Sequence, residues 1–568
     1  MLLLQHFPEL TRHPFNAEKM MDLVLQLAVQ GKLTKKWREE HPDLEPASVL
    51  LEKTREEKER LIIDKKIKKE RPLSEIDQLP FEKPNSWEWV KLGDLIHMYN
   101  GRAFKSTEWS DSGLPIIRIQ NLNNSNANFN YYNGKLDFRH KVDKGTFLIS
   151  WSGTPGTSFG AFIWQGPVGA LNQHINKCEF YSELTFDQFY KATINSQLSE
   201  LIRQAQGGVG LKHVTKGILN NLVLPLPPLE EQKEIVRIVD QLKEEVDSLN
   251  RLSKERLEKK HQFVVSSLHH LTESGDQKHW NLLQDNFTDT LDELDNVKKL
   301  RETILQLAVQ GKLTQKWREA NPDVEPAVQL LQHIQEEKEK LIAEKKIKKE
   351  KPLPPILDDE IPYELPGGWE WVRLQSLLSS IRYGTSKKCD YGLGNTGILR
   401  IPNLINGEID VQDLKSTDLT IREIQDLDLQ RGDLLIIRSN GSESLVGTAA
   451  IIRGEMEGFA FAGYLMRLRL FTSYIESSYL VLNMKSRFIR DSIEKPIRTT
   501  SGVKNINSTE VSSLLISLPP YEEQKAIVQQ VDRLMSLCDD LEAHIRKRNE
   551  TAEKLMRAVV VEIFAKTN

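Results

Sequence analysis

The chain has 568 residues, 39% hydrophobic and 28% charged, and 77 Lys and Arg against 81 Asp and Glu give a formal net charge of −4. Its length predicts roughly three to five structural units, and the absence of a long apolar run points to a cytoplasmic protein without a membrane span. The charge balance argues against a general polyanion binder, so any nucleic-acid contact must use local basic patches or borrow them from partners, and the scattered Cys178, Cys389 and Cys538 offer neither a disulfide framework nor metal-ligand spacing.

Residues 1–84 read as a helical region. An amphipathic helix over 16–30 stops at Gly31, a residue suited to the left-handed C′ position. Trp37 is expected to anchor the following turn. Residues 46–70 read as a charged helix, rich in Glu and then in Lys, ending at Pro72. Its face is expected to be solvated, with the terminal lysine run the better candidate for phosphate contact within it. After a Pro-containing linker, Trp87-Glu88-Trp89-Val90 alternates as a strand with its indoles in a core. Residues 85–225 are rich in Gly, Asn, Ser, Thr and short β-branched runs, the composition of a mixed α/β domain with many loops.

Next comes Leu226-Pro227-Pro228-Leu229-Glu230-Glu231-Gln232. The prolines forbid helix before them, and the glutamates place negative charge at a helix N-terminus. Ile235, Val239, Leu242, Val246 and Leu249 follow at alternating spacings of four and three, the apolar seam of a coiled coil over 226–272.

The pattern then starts again. Leu25 to Thr34 returns unchanged as Leu305 to Thr314, and the match runs without a gap to Lys345-Lys346-Ile347-Lys348-Lys349-Glu350. Weaker matches of Leu2, Leu3 and Phe7 to Leu282, Leu283 and Phe287 extend the repeat towards the N-terminus. Residues 273–365 are thus a linker and a second helical region, 366–517 a second α/β domain, and 518–568 a second seam helix opening with Leu518-Pro519-Pro520-Tyr521-Glu522-Glu523-Gln524. Its seam is Ile527, Val531, Leu534, Cys538, Leu541 and Ile545. The repeat is circularly cut, since the segment that should follow the second helix stands at the N-terminus. Docking of the first 30 residues beside the C-terminal helix would close a pseudo-two-fold ring with the two seams packed together. The helices are nearly identical while the domains share only a skeleton, as expected of one scaffold carrying two different reading surfaces.

This order of domain, Pro-Pro-x-Glu-Glu-Gln helix, Gly-Lys-Leu turn, second domain and second Glu-Glu-Gln helix resembles the DNA specificity subunit of type I restriction-modification systems. The resemblance implies an α+β architecture of two target recognition domains separated by antiparallel coiled-coil helices. It implies that each domain reads one half of a bipartite, asymmetric site in double-stranded DNA while the helices set the spacer. The implied partners are two modification subunits, which carry S-adenosylmethionine and methylate adenine, and restriction subunits that translocate and cut DNA. The chain itself then has no cofactor or catalytic residue. Consistently, it carries no Asn/Asp-Pro-Pro-aromatic motif for amino-methyl transfer and no phosphate loop. The charged segments 46–80 and 326–365 depart from shorter members of the family.

Base reading needs paired donors and acceptors on loops. Candidates are Arg102, Lys105 and Ser106 in the first domain and Lys387 and Lys388 in the second. Arg118 with Asn121 recurs as Arg400 with Asn403, which favours a phosphate contact or a structural hydrogen bond over base readout. Ser152 and Thr154, with Arg438, Ser439 and Asn440 as counterparts, follow expected strands and present small polar groups. Lys212 and His213, and Lys504 and Asn505, precede the long helices. Arg498 falls in a basic cluster with Lys485, Arg487 and Arg490.

Overall fold

A computed structural model describes residues 16–76, 79–124, 127–153, 159–183, 185–197, 212–273, 277–495, 498–500 and 503–565. The chain divides into two compact units, Met1–Leu257 with Glu550–Asn568, and Glu258–Asn549. The weak repeat matches at Leu2, Leu3 and Phe7 lie outside the described residues.

In the first unit, helix α1 (Asn16–Val29) ends as its sequence predicts. Gly31 has φ +67, and a Cβ there would stand 2.8 Å from the Trp87 ring, so both backbone and packing require glycine. Lys19 of α1 pairs at 3.2 Å with Glu553, which brings the N-terminal helix beside the C-terminal one, as the circular cut requires. Helix α2 (Ala47–Ile63) is shorter than expected. It closes through Lys65, at φ 57, with Lys66 N–H bonding to Leu61 O at 3.0 Å. The lysine run is therefore not helical. On a helix Lys65, Lys66, Lys68 and Lys69 would meet at i,i+3 and i,i+4, where like charges repel, and the chain leaves the helix before they can.

The strand Glu88–Lys91 pairs antiparallel with Val223–Leu226, so the domain's entry and exit run side by side. Between them lies an antiparallel sheet ordered Ile96–Asn100, Ile175–Phe180, Phe147–Ser150 and Gly160–Ile163. A mixed sheet follows, ordered Asn130–Tyr132, Leu114–Ile117, Gly169–Leu171 and Lys141–Val142. Helix α3 (Leu229–Glu273) sends Ile235 and Val239 into the core formed by Trp87, Leu92, Phe189 and Tyr190.

The second unit repeats the plan. Helices α4 (Leu294–Val309) and α5 (Ala327–Ala343) precede the strand Glu370–Arg373, which pairs with Leu515–Leu518. The second α/β sheet is ordered Leu378–Tyr383, Leu465–Leu470, Leu434–Ile437 and Ala449–Ile451. Helix α5 closes in the same way, with Lys345 at φ 57. Helix α6 (Tyr521–Ala565) buries Ile527, Val531, Cys538 and Ile545. These join Val264 and Leu268 of α3 and Val297, Leu300 and Ile304 of α4 in one cluster.

Within this unit α3 and α6 run antiparallel. Lys260 and Arg548 hold the same Asp292, at 2.6 and 3.4 Å, whereas Thr272, at the other end of α3, accepts from Lys312 beside the start of α6. Of the expected stripes, Ile235, Val239, Val246, Ile527, Val531, Cys538 and Ile545 are buried, whereas Leu242, Leu249, Leu534 and Leu541 are half-buried. One expectation is corrected. Each seam does more than face another seam, since the first begins inside its own α/β domain and the second packs on α4, Trp369 and Tyr479 as well as α3.

Candidate nucleic-acid interface

The second glutamate of each Glu-Glu-Gln motif is not a solvated helix-end charge. Glu231 is fully buried. Its carboxylate accepts from the Thr34 hydroxyl at 2.7 Å, the Trp87 indole N–H at 2.8 Å and the Arg38 guanidinium. Arg38 also donates to Gly31 O at 2.9 Å. The second copy is the same, with Thr314 at 2.7 Å, Trp369 at 2.8 Å and Arg318 at 2.5 Å from Glu523. One carboxylate thus ties the Gly-Lys-Leu turn, the domain's entry and the long helix together. Arg38 and Arg318 anchor the turn, while the Trp37 ring stacks on His41, whose Nδ1 lies 2.8 Å from Trp37 O. The adjacent glutamines fix the other side of each domain. Gln232 accepts from Phe186 N–H at 3.1 Å and donates to Pro227 O, while Gln524 accepts from Glu476 N–H at 2.8 Å and donates to Pro519 O.

For two sequence candidates the fold shows the structural hydrogen bond, one of the two readings their recurrence favours. Asn121 and Asn403 are buried, and each Oδ1 accepts the backbone N–H of its arginine, at 2.9 and 2.8 Å. Their amides donate inward, Asn121 to Ala127 O and Asn403 to Asp410 O and Asp413 O. They clasp turns and cannot reach DNA. Their arginines are also engaged, Arg118 over the Trp109 ring and Arg400 with Asp413 at 3.2 Å. Arg102 lies against Phe104 and Tyr132 and pairs with Glu108.

Lys387 is exposed but bonds to Glu423 at 2.8 Å. That ammonium, with the Thr420 amide, holds the Glu423 carboxyl well below its usual range. Lys504 faces Glu443 at 3.3 Å. In the basic cluster, Arg487 pairs with Asp491, Arg490 with Glu494, and Lys485 donates to Asn406 O, so that patch is largely neutralised within the fold. Thr154 lies outside the described residues. Ser152 pairs through its strand with His213, as Ser439 does with Asn505, and Lys212 and Asn440 continue those pairings. Asn440 accepts from Ser442 N–H at 2.7 Å, and Arg498 opens the strand Arg498–Thr500. Lys105, Ser106 and Lys388 are exposed.

The lysine straps carry the clearest concentration of uncommitted charge. Lys65, Lys68, Lys69 and Arg71, and Lys345, Lys348, Lys349 and Lys351, are exposed. None has an ion pair among the described residues. Each strap is pinned by its glutamate. Glu70 accepts from Lys216 at 2.8 Å and Asn220 at 3.0 Å, and Glu350 faces Lys338 at 3.4 Å. Sequence reasoning missed the buried role of Glu231 and Glu523; the signal available was the exact doubling of the motif within divergent surroundings.

The model of the type I restriction modification DNA specificity domain matches residues 84–259 and 366–550. The chain is similar to the type I restriction enzyme EcoEI specificity subunit of Escherichia coli, 28% identical over 96% of this chain and 93% of the relative. It is similar to the EcoAI specificity subunit of Escherichia coli at 29% identity over the same shares. A solved chain described under complex assembly and conformational transition of the type I R-M system is similar at TM-score 0.47 and 17% identity, over 85% of this chain and 97% of that one.

Proposed function

The chain belongs to the type I restriction-modification DNA specificity family, and from that membership we propose that it directs modification and restriction subunits to a bipartite, asymmetric site in double-stranded DNA. Specificity subunits are the non-catalytic members of these systems and work in complexes with other subunits. In this reading residues 85–225 and 366–517 are target recognition domains, each reading one half-site, and α3 and α6 set the spacer. Each helix has 45 residues, or about 68 Å at 1.5 Å per residue, against roughly 34 Å for a turn of DNA. Two modification subunits supply S-adenosylmethionine and methylate adenine, restriction subunits join them, and the complex acts in the cytoplasm. No described helix is long and apolar enough to cross a membrane.

The observation that carries this proposal is the doubled joint at Glu231 and Glu523. Identical three-donor sockets seat two domains whose surfaces differ, which suits a scaffold that holds interchangeable readers. Exchanging residues 85–225 for the matching domain of a relative, in a complex with the modification subunits, is expected to change one half of the methylated sequence and leave the other intact. An unchanged methylated sequence would refute the reading.

The lysine straps are assigned to the phosphate backbone. Replacing Lys65, Lys66, Lys68 and Lys69 with Gln is expected to weaken DNA binding equally across sequences. The slope of log affinity against log salt should become shallower by about 0.9 for each phosphate that the strap no longer neutralises. An unchanged slope with weaker assembly of the complex would move the strap to a protein partner.

A further inference from the structure

The two α/β domains can be aligned by strand register alone. Ile175 and Leu465 open equivalent central strands, paired with Ser150 and Ile437 on one side, while Asn176 and Met466 pair with Asn100 and Tyr383 on the other. This places Asn100 on Tyr383, Trp151 on Arg438 and His174 on Tyr464. The backbone at this junction is the same in both domains. Trp151 N–H bonds to His174 O at 3.3 Å, and Arg438 N–H to Tyr464 O at 2.9 Å. Val214 N–H bonds to Trp151 O at 3.1 Å, and Ile506 N–H to Arg438 O at 2.9 Å. Gly101 and Gly384 press against the chain here, donating to Ile175 O and Leu465 O.

On this common backbone all three side chains differ. The first domain presents an amide, an indole and an imidazole, with the Trp151 and His174 rings 5.3 Å apart. The second presents a guanidinium and two phenols. Arg438 lies 4.7 Å over the Tyr383 ring and gives one N–H to Gly463 O at 3.2 Å. Its Nη2 makes no hydrogen bond among the described residues. Tyr383 and Tyr464 are 41% and 62% exposed, too open for a core role. A fixed backbone bearing exchanged, partly exposed aromatic and cationic groups is what sequence readout requires, because the frame sets the register on DNA while side chains choose the base.

We propose that this junction is the base-reading surface of each domain, with Arg438 donating its free terminal N–H groups to a guanine edge and Trp151 with His174 forming a different, flatter surface that reads the other half-site. This inference rests on the recognition-domain reading above and names the residues that would carry it. Arg438 was among the sequence candidates as a member of a small polar turn; Trp151, His174, Tyr383 and Tyr464 were not, because strand register alone brings them together.

The test uses the assembled methyltransferase complex and a randomised DNA library, with methylated adenines mapped by sequencing. Arg438→Ala and Tyr464→Ala are expected to relax preference at one base pair of a single half-site, by roughly ten- to a hundredfold for the arginine. The other half-site should stay unchanged in both variants, and the melting profile should stay unchanged in Tyr464→Ala. Tyr464 is exposed enough for its truncation to be tolerated by the fold. Unchanged preference in both variants overturns the proposal, and so does a uniform loss across all sequences, which would make Arg438 a phosphate contact. If exchange of the whole domain 366–517 also leaves both half-sites unchanged, the recognition-domain reading itself has failed; if that exchange alters a half-site and these variants do not, only the junction has been misassigned.

Discussion

Replacing Glu231 with Ala is expected to destabilise the first unit by about 3 kcal/mol, at the lower end of the range for breaking a buried ion pair. The substitution removes one acceptor and strands three donors. Trp87 is fully buried, so its indole N–H has no water to turn to, at a cost of about 1–3 kcal/mol. The Arg38 side chain keeps 19% of its surface exposed and can partly rehydrate, which holds the total at the low end. Glu231→Gln keeps an acceptor oxygen but loses the charge, and should fall between wild type and alanine. The unfolding transition of this unit should drop by roughly 6–12 °C in the alanine variant, with Glu523→Ala doing the same to the second unit. A transition within a degree of wild type would show that the socket is not what seats the domain. Readout should follow the same partition, with Glu231→Ala losing one half of the methylated sequence before the other.

Gly101→Ala should be as severe by a different route. The added Cβ would stand 2.0 Å from Asn172 O, and at Gly384 it would stand 2.3 Å from both Ala462 O and Phe461 O. The obstacle is backbone, so no side-chain rotation relieves it. Arg102 and Asn172, like Thr385 and Ala462, form a parallel bridge at this point. Moving the strands apart would break that bridge, and the cost should exceed the roughly 1–3 kcal/mol of ordinary overpacking. Gly367→Ala is the control, since a Cβ there meets nothing within 4 Å. Calorimetry on Gly101→Ala, Gly384→Ala and Gly367→Ala checks the ordering; a Gly101→Ala protein as stable as Gly367→Ala would mean the strands can separate freely.

Local signals in the chain were reliable where a single element expresses them. The doubled helix starts, the C′ glycines Gly31 and Gly311, and the buried stripes through Ile235, Val239, Ile527 and Val531 all follow from periodicity and capping chemistry between near neighbours. The charged helices end earlier than their composition predicts, since Glu and Lys are both good helix formers. Propensity favoured continuing through a lysine run whose repulsion and whose anchor at Glu70 and Glu350 end it.

Candidate contacts were harder, for a related reason. Arg102, Arg400, Arg490 and Lys387 look available as letters, but each is partly claimed by a carboxylate or carbonyl from elsewhere in the same domain. Asn121 and Asn403 spend their amides on their own turns. The sequence by itself determined that there are two copies of one unit, where their helices start and stop, and which family they resemble. Only the tertiary structure decided that Glu231 meets Thr34, Arg38 and Trp87 across separations of 197, 193 and 144 residues, and that Trp151 stands where its counterpart domain holds Arg438. Periodicity is a property of neighbours in the chain, whereas the partner of a buried charge or of an exposed reading side chain is fixed by strand register and domain closure, which bring together residues that share no local pattern.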